Sequence, residues 1–328
     1  MTAIAHVRRI LAIRVRPADL GIVLGVMTCL ATLMGFLGAV SAILDLVSHF
    51  RVQYFCIPIA VALLLFGTKR RRFATLFAAL AIVNGAAIAP LFVGPSVHVV
   101  ESDRVFRIFI ANVNRKFGDA VAVLRAVDAT NPDFVVLAEV DTDWLARLKS
   151  LDASYPYSVA EPRPDNFGIV LYSKLAFSRT EGIPLGQPAI PSLVANLTVD
   201  GKPIRLVGTH ILPPVGLQYI DWQAQQRAEL INLLKAELTP VLLVGDLNMT
   251  PWSAHFRDLL TKANLRDAGA GQGLQPTWPV QFPPLLIPLD RCLYSDGIEV
   301  VATRVGEQVG SDHYPLTVDF VVRDRQAL

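Results

Sequence analysis

Residues 240–248 have the sequence PVLLVGDLN, in which four apolar residues are followed directly by glycine, aspartate, leucine and asparagine. A short apolar run bounded by turn-forming residues is typical of a buried β-strand. Asp246 and Asn248 would then lie just beyond the end of that strand. This stretch therefore predicts a strand that delivers oxygen-bearing side chains to a cleft.

The same pattern recurs through the second part of the chain. Apolar runs predict strands at residues 105–113, 134–137, 168–172, 194–199, 204–209, 241–244, 291–294 and 316–321, and helices at residues 117–129 and 222–237. Many connections are short and hairpin-like rather than βαβ crossovers. The pattern favours an α/β protein built from two packed, mostly antiparallel sheets flanked by helices.

Polar residues occur at or just past the ends of these strands: Asn112, Glu139, His210, Asp246, Asn248, Asp290, Asp312 and His313. Because strand ends converge in space, we expect these side chains to share one cleft. Carboxylate and amide oxygens are ligands that Mg²⁺ prefers, and Mn²⁺ accepts the same donors. Histidines supply proton transfer near neutral pH. The pattern predicts a site that binds Mg²⁺ or Mn²⁺, with histidines beside it for proton transfer or for hydrogen bonds to phosphate.

The first part of the chain is too apolar for an ordinary soluble enzyme. Residues 20–44 contain no charged residue and are long enough to span a bilayer core of roughly 30 Å. Two further apolar runs, residues 54–67 and 73–93, flank a basic cluster at residues 69–72. We expect a basic N-terminus at residues 1–19, about three transmembrane helices within residues 20–94, a linker at residues 95–104 and a catalytic domain at residues 105–328. The second run is short, so a re-entrant segment is the alternative.

The distribution of charged residues predicts how the protein is oriented in the membrane. Residues 1–94 contain nine Lys/Arg and two Asp, and the rest of the chain has 21 basic and 26 acidic residues. Since cytoplasmic loops collect Lys and Arg, the N-terminus and the cluster at 69–72 are expected on the cytoplasmic side. Three crossings place the catalytic domain outside, facing the periplasm if the cell is Gram-negative. The acidic balance of that domain disfavours nucleic acid as the partner without excluding it.

Six short motifs occur in the order typical of one superfamily: residues 110–114 (IANVN), 137–140 (LAEV), 208–210 (GTH), 245–248 (GDLN), 289–290 (LD) and 311–315 (SDHYP). In these motifs the chain resembles the endonuclease/exonuclease/phosphatase superfamily. The resemblance covers about two thirds of the chain and implies a DNase I-like four-layer sandwich. It also implies metal-dependent hydrolysis of a phosphate ester, phosphodiester or pyrophosphate.

The resemblance implies a role for each matching residue. Glu139 is the principal metal ligand, with Asn112 beside it near the phosphate, and Asp246 orients or deprotonates the attacking water close to the metal. Asn248 hydrogen-bonds the phosphoryl oxygens. His313 contacts the phosphate or transfers a proton and is oriented by Asp290. Asp312 belongs to the metal site, and His210 is a candidate general acid.

The chain departs from the superfamily pattern at three positions. Ala138 stands where Gln is usual, and Arg291 stands where an aromatic residue or His is common. Asn114 occupies a position that is acidic in some nucleases, which puts a second metal ligand there in doubt and makes it a candidate substrate contact. One-metal and two-metal mechanisms both remain open. His6, His49, His98 and His255 lie outside the motifs and are expected at surfaces or interfaces.

Two apolar, proline-rich segments flank the expected site, at residues 211–217 and 277–288. Beside a phosphate site and near a bilayer, they predict a lipid-linked substrate, with Trp278 contacting it at the interface. Ordinary packed loops are the alternative interpretation. For the whole protein, hydrolysis of a membrane lipid or envelope precursor is preferred. The alternatives are a membrane-tethered nuclease and a non-catalytic membrane sensor that kept the fold.

Overall fold

The computed structural model of the chain describes residues 16–94, 100 and 103–324. Most of the basic N-terminus expected at residues 1–19, together with His6, lies outside the described residues. So do His98 and much of the linker expected at residues 95–104.

The apolar first part forms a small helical bundle. Its helices are α1 (Pro17–Phe36), α2 (Ala42–Ser48), α3 (Arg51–Gly67) and α4 (Arg71–Ile88), followed by a 3₁₀ turn (Ala89–Leu91). Two described segments, Pro17–Phe36 and Arg71–Leu91, are long and apolar enough to cross a membrane. The pair α2 and α3, bent by 55°, makes a third if it is counted as one span.

The first apolar run is not the single uninterrupted span that its length predicts. Helix α1 ends at Phe36, and α2 begins only at Ala42. The intervening turn brings Gly38 so close to α2 that an added Cβ would lie 2.5 Å from Oδ1 of Asp45. Only a glycine permits that approach. The apolar run therefore contains a tight turn that hydropathy does not reveal.

The two ends of the bundle differ in chemistry. At one end, Nη1 of Arg70 lies 2.6 Å from Oδ1 of Asp19, which joins the start of α1 to the basic cluster before α4. At the other end, the backbone amides of Gly271 and Gly273 donate to the carbonyls of Pro90 and Leu91 at 3.1 Å and 2.6 Å. The globular domain thus packs on the end of the bundle opposite the basic cluster.

The globular part contains two six-stranded sheets. Its strands are β1 (Phe106–Asn112), β2 (Phe134–Ala138), β3 (Tyr157–Glu161), β4 (Ile169–Ser173), β5 (Phe177–Leu185), β6 (Ile190–Val199), β7 (Lys202–His210), β8 (Val241–Asp246), β9 (Arg266–Asp267), β10 (Asp290–Tyr294), β11 (Ile298–Val305) and β12 (Leu316–Val322). One sheet has the order β11-β12-β1-β2-β4-β3 and the other β5-β6-β7-β8-β10-β9. Each contains one parallel pair, β1 with β2 and β7 with β8, and is otherwise antiparallel.

The sequence pattern predicted all eight inner strands and none of the four edge strands. The missed strands β3, β5, β9 and β11 are the outermost members of the two sheets. Most residues of β3 and β5 are exposed or only half-buried. An edge strand has one hydrogen-bonded neighbour and is kept polar, so its sequence lacks the apolar run of an inner strand.

Helices cover the outer face of each sheet, giving four layers. They are α5 (Ala120–Thr130) and α6 (Thr142–Arg147) on one side, and α7 (Leu217–Lys235) and α8 (Ala254–Lys262) on the other. The sheets share a central core, while separate clusters fill the space under α5 and α6 and under α7 and α8. This is the predicted four-layer sandwich.

Local chemistry decides where the helices begin. Helix α5 starts at Ala120 rather than residue 117, because the carboxylate of Asp119 accepts hydrogen bonds from two first-turn amides. Asp141 caps α6 in the same way, by accepting a hydrogen bond from the amide of Trp144. Helix α7 begins at Leu217, after Gly216, which is five residues before the start predicted at residue 222.

Candidate active site

Strand register brings the polar strand ends together. Asn112 pairs with Ala138 across β1 and β2, which places Glu139 one residue further on. In the other sheet His210 pairs with Asp246, and Asp246 pairs with Asp290 on the antiparallel neighbour. The ends of both parallel pairs and the start of β10 therefore face one cleft between the sheets.

Gly245 allows the two parallel strands β7 and β8 to approach each other before Asp246. An added Cβ would lie 1.8 Å from the carbonyl oxygen of Thr209, and the residue has φ of +141°. No larger residue fits that position. The glycine in the 245–248 motif is thus required by backbone packing, whereas Asp246 and Asn248 carry the polar groups.

The amide of Asn112 links two carboxylates that come from different sheets. Its Nδ2 donates to Oε1 of Glu139 at 3.0 Å and to Oδ2 of Asp246 at 3.2 Å. Glu139 has a positive φ of 63°, which is a strained conformation for a residue with a side chain. Such strain is frequent at functional sites and is maintained here by the surrounding sheet.

A histidine and an aspartate form a buried pair beside these carboxylates. Nδ1 of His313 lies 2.7 Å from Oδ2 of Asp290, and Nε2 lies 3.7 Å from Oδ2 of Asp246. Burial disfavours the imidazolium, but Asp290 and Asp246 together outweigh it and raise the pKa of His313 to about 10. Burial likewise raises the pKa of Asp246, against the opposing effect of His313.

A second histidine approaches Asp246 from the other side. Nε2 of His210 lies 3.5 Å from Oδ2 of Asp246 and 3.5 Å from Nδ2 of Asn248. Asn248 also donates to the carbonyl of Ile211 at 2.8 Å, and its backbone amide donates to Asp246. Asp246 is thus the residue on which Asn112, His210, Asn248 and His313 converge.

Asp312 is held by two side chains named in the sequence analysis. Oδ1 accepts from Nδ2 of Asn114 at 2.7 Å, and Oδ2 accepts from Nε1 of Trp278 at 3.1 Å. Asn114 and Asp290 lie behind the cavity wall, whereas Trp278 and Asp312 line the cavity. The roles predicted for Asp312 as a metal ligand and Asn114 as a substrate contact therefore stay predictions.

The chemistry of this cluster fits a hard divalent cation. Glu139 and Asp246 meet at one amide, and neither has a lysine or arginine ion pair within the described residues. Asp246, Asp290 and His313 each offer a ligand atom within 4.8 Å of one another, and Oδ1 of Asp290 is buried without a hydrogen-bond partner among the described residues. Buried carboxylates require compensating positive charge; the imidazolium of His313 offsets part of it, and a divalent cation would offset the rest.

A cavity of about 690 Å³ opens over the cluster. Eight residues of the sequence prediction line it: Asn112, Glu139, His210, Asp246, Asn248, Trp278, Asp312 and His313. The segment at residues 211–217 contributes Pro213, Pro214 and Val215. Each parallel strand pair and each flanking loop therefore supplies part of the wall.

Part of the cavity wall escaped the sequence analysis. Arg115, Asp165, Asn166 and Phe167 line it from loops between strands, and their sequences match no strand-end pattern. Leu46, His49 and Phe50 line it from the helical bundle. His49 was expected at a surface or an interface; it is 6% exposed and lies where the bundle meets the globular domain. The sequence feature that could have indicated this position is His49 itself, a polar residue between two apolar helices.

Comparison with known proteins agrees with this geometry. The profile of the Endonuclease/Exonuclease/phosphatase family matches residues 110–313. No curated protein matches the chain.

Solved structures share the fold. An endonuclease/exonuclease/phosphatase from Beutenbergia cavernae is 21% identical with a TM-score of 0.59, over 68% of this chain and 72% of that one. The human Nocturnin catalytic domain with bound sulfate is 19% identical with a TM-score of 0.52, over 66% and 95%. D. rerio TDP2 complexed with single strand DNA product is 18% identical with a TM-score of 0.53, over 66% and 99%. With 204 of its 328 residues inside the family profile, the chain belongs to the endonuclease/exonuclease/phosphatase family of phosphoesterases.

Proposed function

We propose that this protein is a membrane-anchored enzyme that hydrolyses a phosphate ester, phosphodiester or pyrophosphate of a membrane lipid or envelope precursor. One observation carries the proposal. The cavity over the catalytic cluster is walled on one side by Glu139, Asp246 and His313, and on another by Leu46 and Phe50 of the membrane bundle. A substrate whose phosphate lies at the carboxylates therefore has its remaining part against apolar groups of the anchor.

Charge and topology support an extracytoplasmic site. Arg70 and Asp19 lie at the end of the bundle opposite the globular domain. Since Lys and Arg are retained on the cytoplasmic side, the catalytic domain would face the periplasm or the outer surface. That placement, with three crossings in which α2 and α3 count as one, is part of the proposal.

Glu139 and Asp246, with Asn112 and Asp312 close by, would hold Mg²⁺ or Mn²⁺. The bound ion would neutralise charge on the phosphate and so lower the barrier to attack by water. Asp246 orients the water, and Asn248 donates a hydrogen bond to phosphoryl oxygens as negative charge builds.

The two histidines, His210 and His313, would transfer protons and contact the negatively charged phosphate. His313, held through Nδ1 by Asp290, presents Nε2 toward Asp246 and the phosphate. His210 has Nε2 directed to the opposite side of Asp246 and is the candidate general acid for the leaving oxygen. Asn114 keeps Asp312 in place, and Trp278 closes the cavity beside it.

A substrate panel tests the proposal. The full-length protein in nanodiscs is assayed with lipid phosphates, lipid phosphodiesters, plasmid DNA and RNA, each with Mg²⁺ or Mn²⁺. We expect hydrolysis of a lipid-linked substrate that falls more than 100-fold in Glu139→Ala and Asp246→Ala. Glu181→Ala removes an exposed carboxylate outside the cavity and should leave turnover unchanged.

Nuclease activity is the second candidate, because a structural neighbour is a TDP2 complexed with single strand DNA product. The acidic balance of the catalytic domain disfavours a nucleic-acid backbone. Efficient cleavage of DNA or RNA with no turnover of any lipid phosphate would replace the lipid proposal with this one.

A further inference from the structure

The membrane helices break where they meet the catalytic cavity. Helices α2 and α3 differ in direction by 55°, and the residues between them are His49 and Phe50. Both residues line the cavity. Non-helical backbone near a membrane is tolerated where it is buried in protein or lines a cavity. The break is therefore positioned to connect the bundle with the active site.

A second cavity continues from this break. It has a volume of about 720 Å³ and lies between the first two turns of α3 and the segment at residues 274–288. We call it the apolar groove. Its lining is almost wholly apolar and includes Phe50, Val52, Cys56, Ile57, Leu285 and Leu286. Phe50 belongs to both cavities, and Leu286 in the groove is followed by Ile287 in the catalytic cavity.

A polar side chain holds the two walls of the apolar groove at a set distance. Nε2 of Gln53 on α3 donates to the carbonyls of Pro284 and Leu286 at 3.0 Å and 3.2 Å. These bonds tie the proline-rich segment to the helix. The five prolines within residues 274–288 further restrict the backbone of that segment. The groove is therefore a formed feature of the fold and not a gap between independently moving parts.

We propose that the apolar groove binds one hydrocarbon chain of the substrate whose phosphate lies at the carboxylate cluster. This inference rests on the proposed function and names the part of the lipid that the protein recognises. An apolar lining excludes charged and strongly polar groups, because their desolvation is not compensated. A hydrocarbon chain gains free energy there. Because one wall is helix α3 itself, a chain could pass from the bilayer into the groove without crossing water.

A chain-length series tests the inference. The substrates are p-nitrophenyl alkyl phosphodiesters with methyl to octyl chains, each below its critical micelle concentration. The full-length protein is kept in an amphipathic polymer, so that no alkyl detergent competes for the groove. We expect kcat/KM to rise about fourfold for each methylene that becomes buried, which corresponds to about 0.8 kcal/mol.

A matched pair of variants locates the effect. Cys56 is exposed and lines the groove, so Cys56→Trp should fill it and flatten the dependence of kcat/KM on chain length. Leu63→Trp places the same bulk on an exposed position of α3 outside the groove and should keep the wild-type dependence. If Cys56→Trp does not fold, Leu285→Ser weakens the same wall from an exposed loop.

Each outcome decides a separate question. Hydrolysis of all the diesters with a flat chain-length profile overturns the groove inference and leaves a phosphoesterase. A steep profile that survives Cys56→Trp also overturns it, because the chain then binds elsewhere. No hydrolysis of any diester or lipid phosphate overturns the proposed function and the groove with it.

Discussion

Asp45 is an acidic residue in an otherwise apolar region, and its removal should loosen the contact between the helical bundle and the catalytic domain. Its side chain is 3% exposed. The carboxylate accepts a hydrogen bond from the hydroxyl of Ser253 at 2.5 Å and one from the amide of Ala254 at 2.7 Å. Ala254 is the first residue of α8, where the helix dipole also favours a negative charge.

The expected magnitude follows from these two bonds. A hydrogen bond to a charged acceptor contributes about 1.5–3 kcal/mol, so Asp45→Ala should cost roughly 3–6 kcal/mol at this contact. Such a cost corresponds to a fall of about 10²–10⁴-fold in the hydrogen-exchange protection of the Ala254 amide. Turnover of the substrate should fall too, because Leu46, the residue directly after Asp45, lines the cavity.

The assay is hydrogen exchange on the full-length protein, read by mass spectrometry over α8. Asp19→Ala is the matched control, since its ion pair with Arg70 is half-exposed at the far end of the bundle and contributes about 0–1 kcal/mol. Equal protection of Ala254 in the wild type and in Asp45→Ala would refute the reasoning. It would mean that the carboxylate does not hold the two parts together.

Three further outcomes are expected. Chelation with EDTA should abolish turnover, and Mg²⁺ or Mn²⁺ should restore it without a change in the circular dichroism spectrum; full activity in the chelated protein would exclude metal dependence. Asp290→Asn should lower kcat about 10- to 100-fold with little change in KM, because His313 loses the carboxylate at its Nδ1; steady-state kinetics at the wild-type rate would contradict this. Asp267→Ala leaves the guanidinium of Arg291 buried without its carboxylate and should lower the free energy of unfolding by about 3–5 kcal/mol. Urea unfolding measures that loss, and exposed Asp296→Ala, expected to cost about 0–1 kcal/mol, is its control.

The inner strands of both sheets were predictable because a buried strand requires a run of apolar residues, which is visible in the sequence. A strand with neighbours on both sides and a core beneath it needs consecutive or alternating apolar residues, as in residues 241–244. Edge strand β5 includes Arg179, Thr180 and Glu181 on an exposed surface and contains Pro184. Its pairing depends on the neighbouring β6, and no local pattern encodes that neighbour.

The candidate site was predictable for a related reason. Asp246 ends one apolar strand and His313 lies just before another, so their position at strand ends can be derived from the chain itself. Their contacts could not be derived. That Asp312 would be held by Asn114 and Trp278 depends on loops whose paths are set by packing between distant segments.

Neither hydropathy nor the polar residues at strand ends predicted the contact between the helical bundle and the globular domain. Hydropathy identifies the bundle and strand-end polarity identifies the site, yet each treats residues 45–53 as an interruption. In the structure this stretch carries Asp45, which binds the start of α8, and Gln53, which ties the proline-rich segment to α3. Between them His49 and Phe50 complete the cavity wall. Because polar side chains are costly in apolar surroundings, their retention there requires partners. The partners of Asp45 and Gln53 both lie in the catalytic domain, so these two polar residues were the sequence signal that the helical bundle contacts that domain.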